Sequence, residues 1–67
     1  MREYAVTLVN ETVKKDTPIY IIKSGALAIA ERKANQTGMA FRIWIRKLPW
    51  VPWEKLEDVE PKLKEET

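Results

Sequence analysis

Between Phe41 and Trp53 the sequence reads FRIWIRKLPWVPW, a stretch holding three tryptophans, three cations and two prolines. Arg42, Trp44 and Arg46 recur at every second position, so one face of a strand would present all three. Their chemistry is recognition. A guanidinium pairs in a planar fork with a carboxylate or phosphate, and an indole offers a large apolar anchor with a single N–H donor. Lys47, Trp50 and Trp53 extend the same composition, and these six residues form the candidate partner-binding site. Bond-breaking chemistry has no comparable set. The chain has no cysteine and no histidine, and Ser24 is better placed as a helix cap, so the usual nucleophile and base pairings are missing. Gly25 and Gly38 are isolated and make no phosphate loop, and the carboxylates near the C-terminus interleave with lysines, which suits neither a metal nor an acid/base pair. The expectation is a non-enzymatic protein without catalytic residues, metal or cofactor.

The elements that must hold these residues follow from periodicity. REYAVTLV alternates, with Tyr4, Val6 and Leu8 on one face and Glu3, Ala5 and Thr7 on the other, which predicts a strand over residues 2–9. The polar run NETVKKDTP then makes a loose hairpin connection, and IYIIK predicts a second strand over residues 19–23, with Pro18 tolerated at an edge. Ser24 is expected to cap a helix over residues 25–36, with Ala26, Leu27, Ile29, Ala30 and Ala34 on its inward face and Gly38 ending it. Three of these five residues are alanine, so the helix can lie close against the sheet, with burial coming mainly from Leu27, Ile29 and the sheet residues opposite. Phe41, Ile43 and Ile45 then alternate with Arg42, Trp44 and Arg46, predicting a third strand over residues 40–47.

The expected architecture is α+β: a three-stranded antiparallel sheet of order 2-1-3 with one helix on one face, ββαβ, followed by a Trp/Pro-rich C-terminal extension. The Phe-Ile-Ile face meets the helix, which leaves the Arg-Trp-Arg row on the uncovered side. Two uses for that row remain open, self-cover of the sheet by arginine stems lying along the indole, or a binding surface. Trp50 and Trp53 carry the same pair of readings: a second minor core folded over the bare face, or an apolar patch for a partner. WEKLEDVE allows one or two helical turns before Pro61, and PKLKEET reads as frayed. Residues 1–53 thus form the domain with its Trp/Pro-rich end, and residues 54–67 form an acidic, partly helical or disordered tail.

Size and charge narrow the function classes. With 67 residues the chain is one domain, in the range where a single core supplies about 3–5 kcal/mol of net stability. The last 14 residues hold six acids and three lysines, a charge of −3, which leaves residues 1–53 at +5 of the net +2. A basic body suits an anionic partner, and an acidic tail competes with phosphate for it. The N-terminal residues lack an apolar run of signal-peptide length, no segment approaches a membrane span, and cysteine is absent, so a location in the cytoplasm is expected.

The stretch TPIYIIKSGALAIAERKANQTGMAFRIWIRKLP, residues 17–49, resembles the strand-helix-strand body of the small podovirus-type phage inhibitors of bacterial RNA polymerase. The likeness rests on Pro18-Ile19-Tyr20 in the second strand, Ala26-Leu27 followed by Ala30-Glu31 in the helix, Gly38 after it, and an arginine-bearing third strand that ends at Pro49. In that family the third-strand arginines grip an acidic part of the polymerase and block promoter opening. The resemblance implies that role for Arg46, the better match by its distance from the proline, and then for Arg42. The expected function is a small phage-encoded protein that binds and inhibits a host protein such as RNA polymerase in the cytoplasm of a bacterial host cell. The alternative is a single-stranded nucleic-acid-binding module, with bases stacked on Trp44 and Trp50 and the backbone followed by Arg42, Arg46 and Lys47.

Overall fold

Alternation in EYAVTL and FRIWIR produces the two long central strands, β1 (Glu3–Leu8) and β3 (Phe41–Arg46), which pair antiparallel from Glu3 opposite Arg46 to Leu8 opposite Phe41. The computed structural model describes residues 2–62. β2 (Ile19–Tyr20) pairs with β1 through Tyr4 and Ala5, and α1 (Lys23–Thr37) crosses one face of the sheet. A further strand, β4 (Glu54–Val59), lies antiparallel on the outer edge of β3, so the order is β2-β1-β3-β4.

The α+β class stands, but the three-stranded sheet of order 2-1-3 is corrected to four strands. EKLEDV, expected to take helical turns, is β4. The reason lies in the backbone of β3, whose outer N–H and C=O groups would be left unpaired by a three-stranded sheet. Pro49 and Pro52 cannot join a ladder and instead form the connection that turns the chain back, with the Val51 N–H donating to the Leu48 carbonyl at 3.2 Å. β4 then fills the edge of β3. Beyond it the chain leaves the sheet for the helix, where the Lys62 N–H donates to Asn35 Oδ1 at 2.7 Å. The part of the expected frayed tail from residue 63 onward lies outside the described residues.

α1 starts earlier than its sequence suggests. Ile22, extended at φ −112° and ψ 129°, occupies the N-cap position without any side-chain bond, so Ser24 lies inside the first turn rather than capping it. The early start also cuts β2 to two residues, because the chain must leave the sheet before Lys23. At the other end Gly38 has φ 74°, a left-handed conformation that costs a residue with a Cβ about 1–2 kcal/mol, and its N–H donates to the Ala34 carbonyl at 2.7 Å.

The core lies between α1 and the sheet. Ala26, Ala30 and Ala34 recur every fourth residue and are all fully buried, with Leu27 packed beside them. The expected alanine face and Leu27 are found, but Ile29 is only half-buried and lies outside the core cluster. Small side chains let the helix lie close to the sheet, and the sheet supplies the volume. Tyr4, Val6, Phe41, Ile43 and Val59 fill the space. Ile43 is the largest fully buried side chain, and its burial is worth about 1.5–3 kcal/mol.

Candidate functional site

Opposite α1, the sheet presents a face that no other element among the described residues covers. Cross-strand register arranges its side chains in three ranks, since directly opposed residues on antiparallel strands share a face. Glu3 faces Arg46, Ala5 faces Trp44 and Thr7 faces Arg42 across β1 and β3. On the other side of β3, Trp44 faces Lys55 and Arg42 faces Asp58.

A bulge decides which β4 residues reach this face. The pairing runs from Phe41 opposite Val59 to Ile43 opposite Glu57, then resumes at Trp44 opposite Lys55, leaving Leu56 as the extra residue. Without that residue, strict alternation from Asp58 would put Leu56 on the open face and turn Lys55 and Trp53 toward the helix. With it, Leu56 packs against the core, while Lys55 and Trp53 join the open face.

Each of the two arginines, and the indole of Trp44, has a side-chain partner on the face. Arg42 donates from Nε to Asp58 Oδ1 at 2.7 Å and more weakly from Nη2 to Oδ2 at 3.4 Å. Arg46 donates from Nε to Glu3 Oε1 at 2.7 Å, and its guanidinium stacks 4.3 Å above the Trp53 ring. Trp44 Nε1 donates to Thr7 Oγ1 at 2.9 Å, and its ring lies 5.8 Å from the Arg42 guanidinium. Lys55 adds a longer contact to Asp58 at 3.6 Å. The hydrogen bond from Arg42 is the main reason that the Asp58 carboxyl is held below the usual carboxylate range, with the nearby Arg42 and Lys55 charges adding to it. The same bond raises the Arg42 guanidinium above its ordinary value. Ala5 and Thr7 are buried although they point away from the helix, which makes Trp44 and its arginine neighbours a thin second layer.

The six residues singled out in the sequence therefore divide. Arg42, Trp44, Arg46 and Trp53 come together on the open face, while Lys47 and Trp50 lie in the connection beyond it, with Trp50 77% exposed. Four residues that complete the face carry no signal of their own in the sequence: Glu3, Thr7, Lys55 and Asp58. Glu3, Ala5 and Thr7 form the polar side of the first alternation, and small residues opposite a tryptophan are the one hint that it lies over them. Among the described residues no group of three or more His, Cys, Asp or Glu side chains could hold a metal ion, and no helix is long and apolar enough to cross a membrane.

Comparisons with protein-family models, with curated proteins and with solved structures find no match. The likeness of residues 17–49 to the podovirus inhibitors rests on its own residues alone.

Proposed function

We propose that the chain is a small non-catalytic, phage-encoded protein that binds and inhibits a host protein through the open face of its sheet, in the cytoplasm of a bacterial cell. The observation that carries the proposal is the state of Arg46. Its Nε is committed to Glu3 and its plane is fixed against Trp53, while its two terminal nitrogens make no hydrogen bond to the described residues. A guanidinium held in this way has lost its rotamer freedom in advance and still offers donors to an incoming carboxylate. Trp44 supplies the flat apolar centre beside it, with a truncation cost of about 2 kcal/mol or more in binding if it serves as a hot spot. The mechanism is occlusion of an acidic surface. Bacterial RNA polymerase is the first target to test, on the strength of the podovirus resemblance.

The nucleic-acid alternative is less well supported by this face. Glu3 and Asp58 sit among its three cations, so a phosphate backbone would meet two carboxylates there. Pull-down from bacterial lysate with the intact chain should retain RNA polymerase subunits, and the purified enzyme should be slowed at a promoter. The double variant Arg42→Gln, Arg46→Gln, folded by circular dichroism, should inhibit at least about tenfold less well. A folded double variant that inhibits at full strength sinks the proposed face. Retention of nucleic acid alone, with tryptophan fluorescence quenched by single-stranded oligonucleotide, would favour the alternative.

A further inference from the structure

Four of the six large apolar side chains that are exposed among the described residues gather at one end of the sheet, while Ile19 lies in β2 and Met39 at the opposite end. Tyr20 pairs with Tyr4 and Arg46 with Glu3, so the residues that follow β2, precede β1 and follow β3 all emerge at the same rim. Ile21 and Ile22 lie there, 64% and 66% exposed, as do Leu48 at 42% and Trp50 at 77%. Four strands at about 4.8 Å spacing make this rim about 14 Å wide. Cations are set among the apolar residues: Arg2, Lys23 and Lys47 are all exposed. Of the two carboxylates at this end, Glu3 is held by Arg46 and Glu54 stands at the start of β4.

Two further features separate this rim from an ordinary loop cluster. Within residues 48–52, Pro49 and Pro52 have no N–H and the Val51 N–H is bonded to Leu48, so few backbone donors would lose water if the tip entered an apolar medium. Beside the tip lies a recess of about 380 Å³ whose walls carry Arg2, Arg46 and Lys47 together with Glu54 and the apolar Ile45, Leu48 and Val51. Two acids of the C-terminal stretch lie away from this rim. Asp58 and Glu60 are at the opposite end of β4, and the chain after them runs to Asn35 near the far end of α1.

We propose that this rim docks onto an anionic lipid surface. Leu48 and Trp50 enter the interface, Ile21 and Ile22 rest on it, and Arg2 and Lys47 meet the headgroups. Tryptophan favours the headgroup boundary, and cations near a negative leaflet each add to the attraction. The rim mixes cations with exposed apolar side chains, which fits a fluid surface that moulds itself around protruding groups.

The test uses the intact chain with phosphatidylcholine vesicles carrying about one-third phosphatidylserine, compared with phosphatidylcholine alone, by co-sedimentation and by quenching from brominated acyl chains. Anionic vesicles should bind at least about tenfold more tightly than neutral ones, with the difference shrinking at high salt. Trp50→Ala combined with Leu48→Ala should reduce binding about tenfold, and Arg2→Gln with Lys47→Gln should do the same on anionic vesicles only. Trp50→Phe should remove most of the acyl-chain quenching, leaving Trp44 and Trp53 shielded from it. Arg42→Gln, on the open face, should leave vesicle binding unchanged, which separates this rim from the protein-binding surface. No binding to anionic vesicles at low salt, equal binding to neutral ones, or binding indifferent to the tip substitutions would each overturn the proposal. So would a host protein captured through Trp50 by a chain that ignores vesicles.

Discussion

On the open face Trp44 gives its N–H to Thr7, and Arg42 and Arg46 each hold a carboxylate, whereas at the rim Trp50 is 77% exposed and Arg2 and Lys47 form no ion pair with the described residues. Both regions come from the same short stretch of sequence and use the same residue types. What separates them is the ladder. A strand residue acquires neighbours on both sides at about 5 Å, and these can be complementary, as Glu3 and Asp58 are to the arginines between them. Lys47 and Trp50, in the connection after β3, have no such neighbours, while Trp53, next to β4, folds back against Arg46. Tryptophan and arginine in a strand therefore become part of the fold, and the same residues in the next turn remain available to solvent or to a surface.

The widest separation should appear in stability. Trp44→Ala uncovers Ala5 and removes the indole bond to Thr7, and it should cost about 2–4 kcal/mol in urea denaturation. Trp50→Ala should stay within about 0.5 kcal/mol of the parent. Equal costs for the two would erase the distinction between a structural and a free tryptophan.

A smaller effect is expected at Arg46. Arg46→Ala loses both the Glu3 pair and the stack on Trp53, for about 1 kcal/mol, more than an isolated surface ion pair gives. Combining it with Glu3→Gln in a double-mutant cycle should show coupling, while Lys47→Ala paired with the same Glu3→Gln should show none. Coupling of equal size at Lys47 would mean that the rim cation also belongs to the network.

The subtlest contrast is with pH. Asp58 is held below the usual carboxylate range by Arg42, so its contribution to stability is present above the unfolded-state value of about 3.9 and is lost as pH falls through the lower folded-state value. Denaturation at stepped pH should show Asp58→Asn flattening the acid limb, with carboxyl NMR reporting the depressed titration directly. An acid limb unchanged by that substitution would remove the Arg42 pair as a feature of the folded face.

Periodicity made the central part of this structure legible. The alternation in EYAVTL and FRIWIR placed Arg42, Trp44 and Arg46 opposite the helix, and Gly38 marked where the helix ends. Other parts were masked by stronger local signals. Ser24 looks like a cap, but the chain leaves β2 early and starts the helix at Lys23, so the position falls two residues past the N-cap. The alanine stripe was legible, but Ile29, the more hydrophobic residue on that side of the helix, is left outside the core cluster. β4 was hidden by its charges and by Leu56, which breaks the alternation a strand would show and instead spaces Trp53, Leu56 and Val59 as on a helix. The partners of the arginines come from distant segments, so only the paired strands reveal that the row is already neutralised.

The extra residue at Leu56 also bears on how the β3–β4 hairpin settles on one alignment. Sliding β4 into unbroken alternation would move the partners of Trp44 and Ile45 by one residue and could form as regular a ladder, so the backbone discriminates poorly between the two. Side chains make the choice. The slipped alignment would press the Lys55 ammonium toward the alanine stripe and turn Leu56 out into water, and burying an unpaired ammonium costs several kcal/mol even after relaxation. A folding chain that closes the hairpin in the wrong alignment therefore cannot seat α1, and it must reopen before the helix docks. Docking of the helix and correct alignment of the hairpin become one cooperative step, governed by the placement of a single leucine.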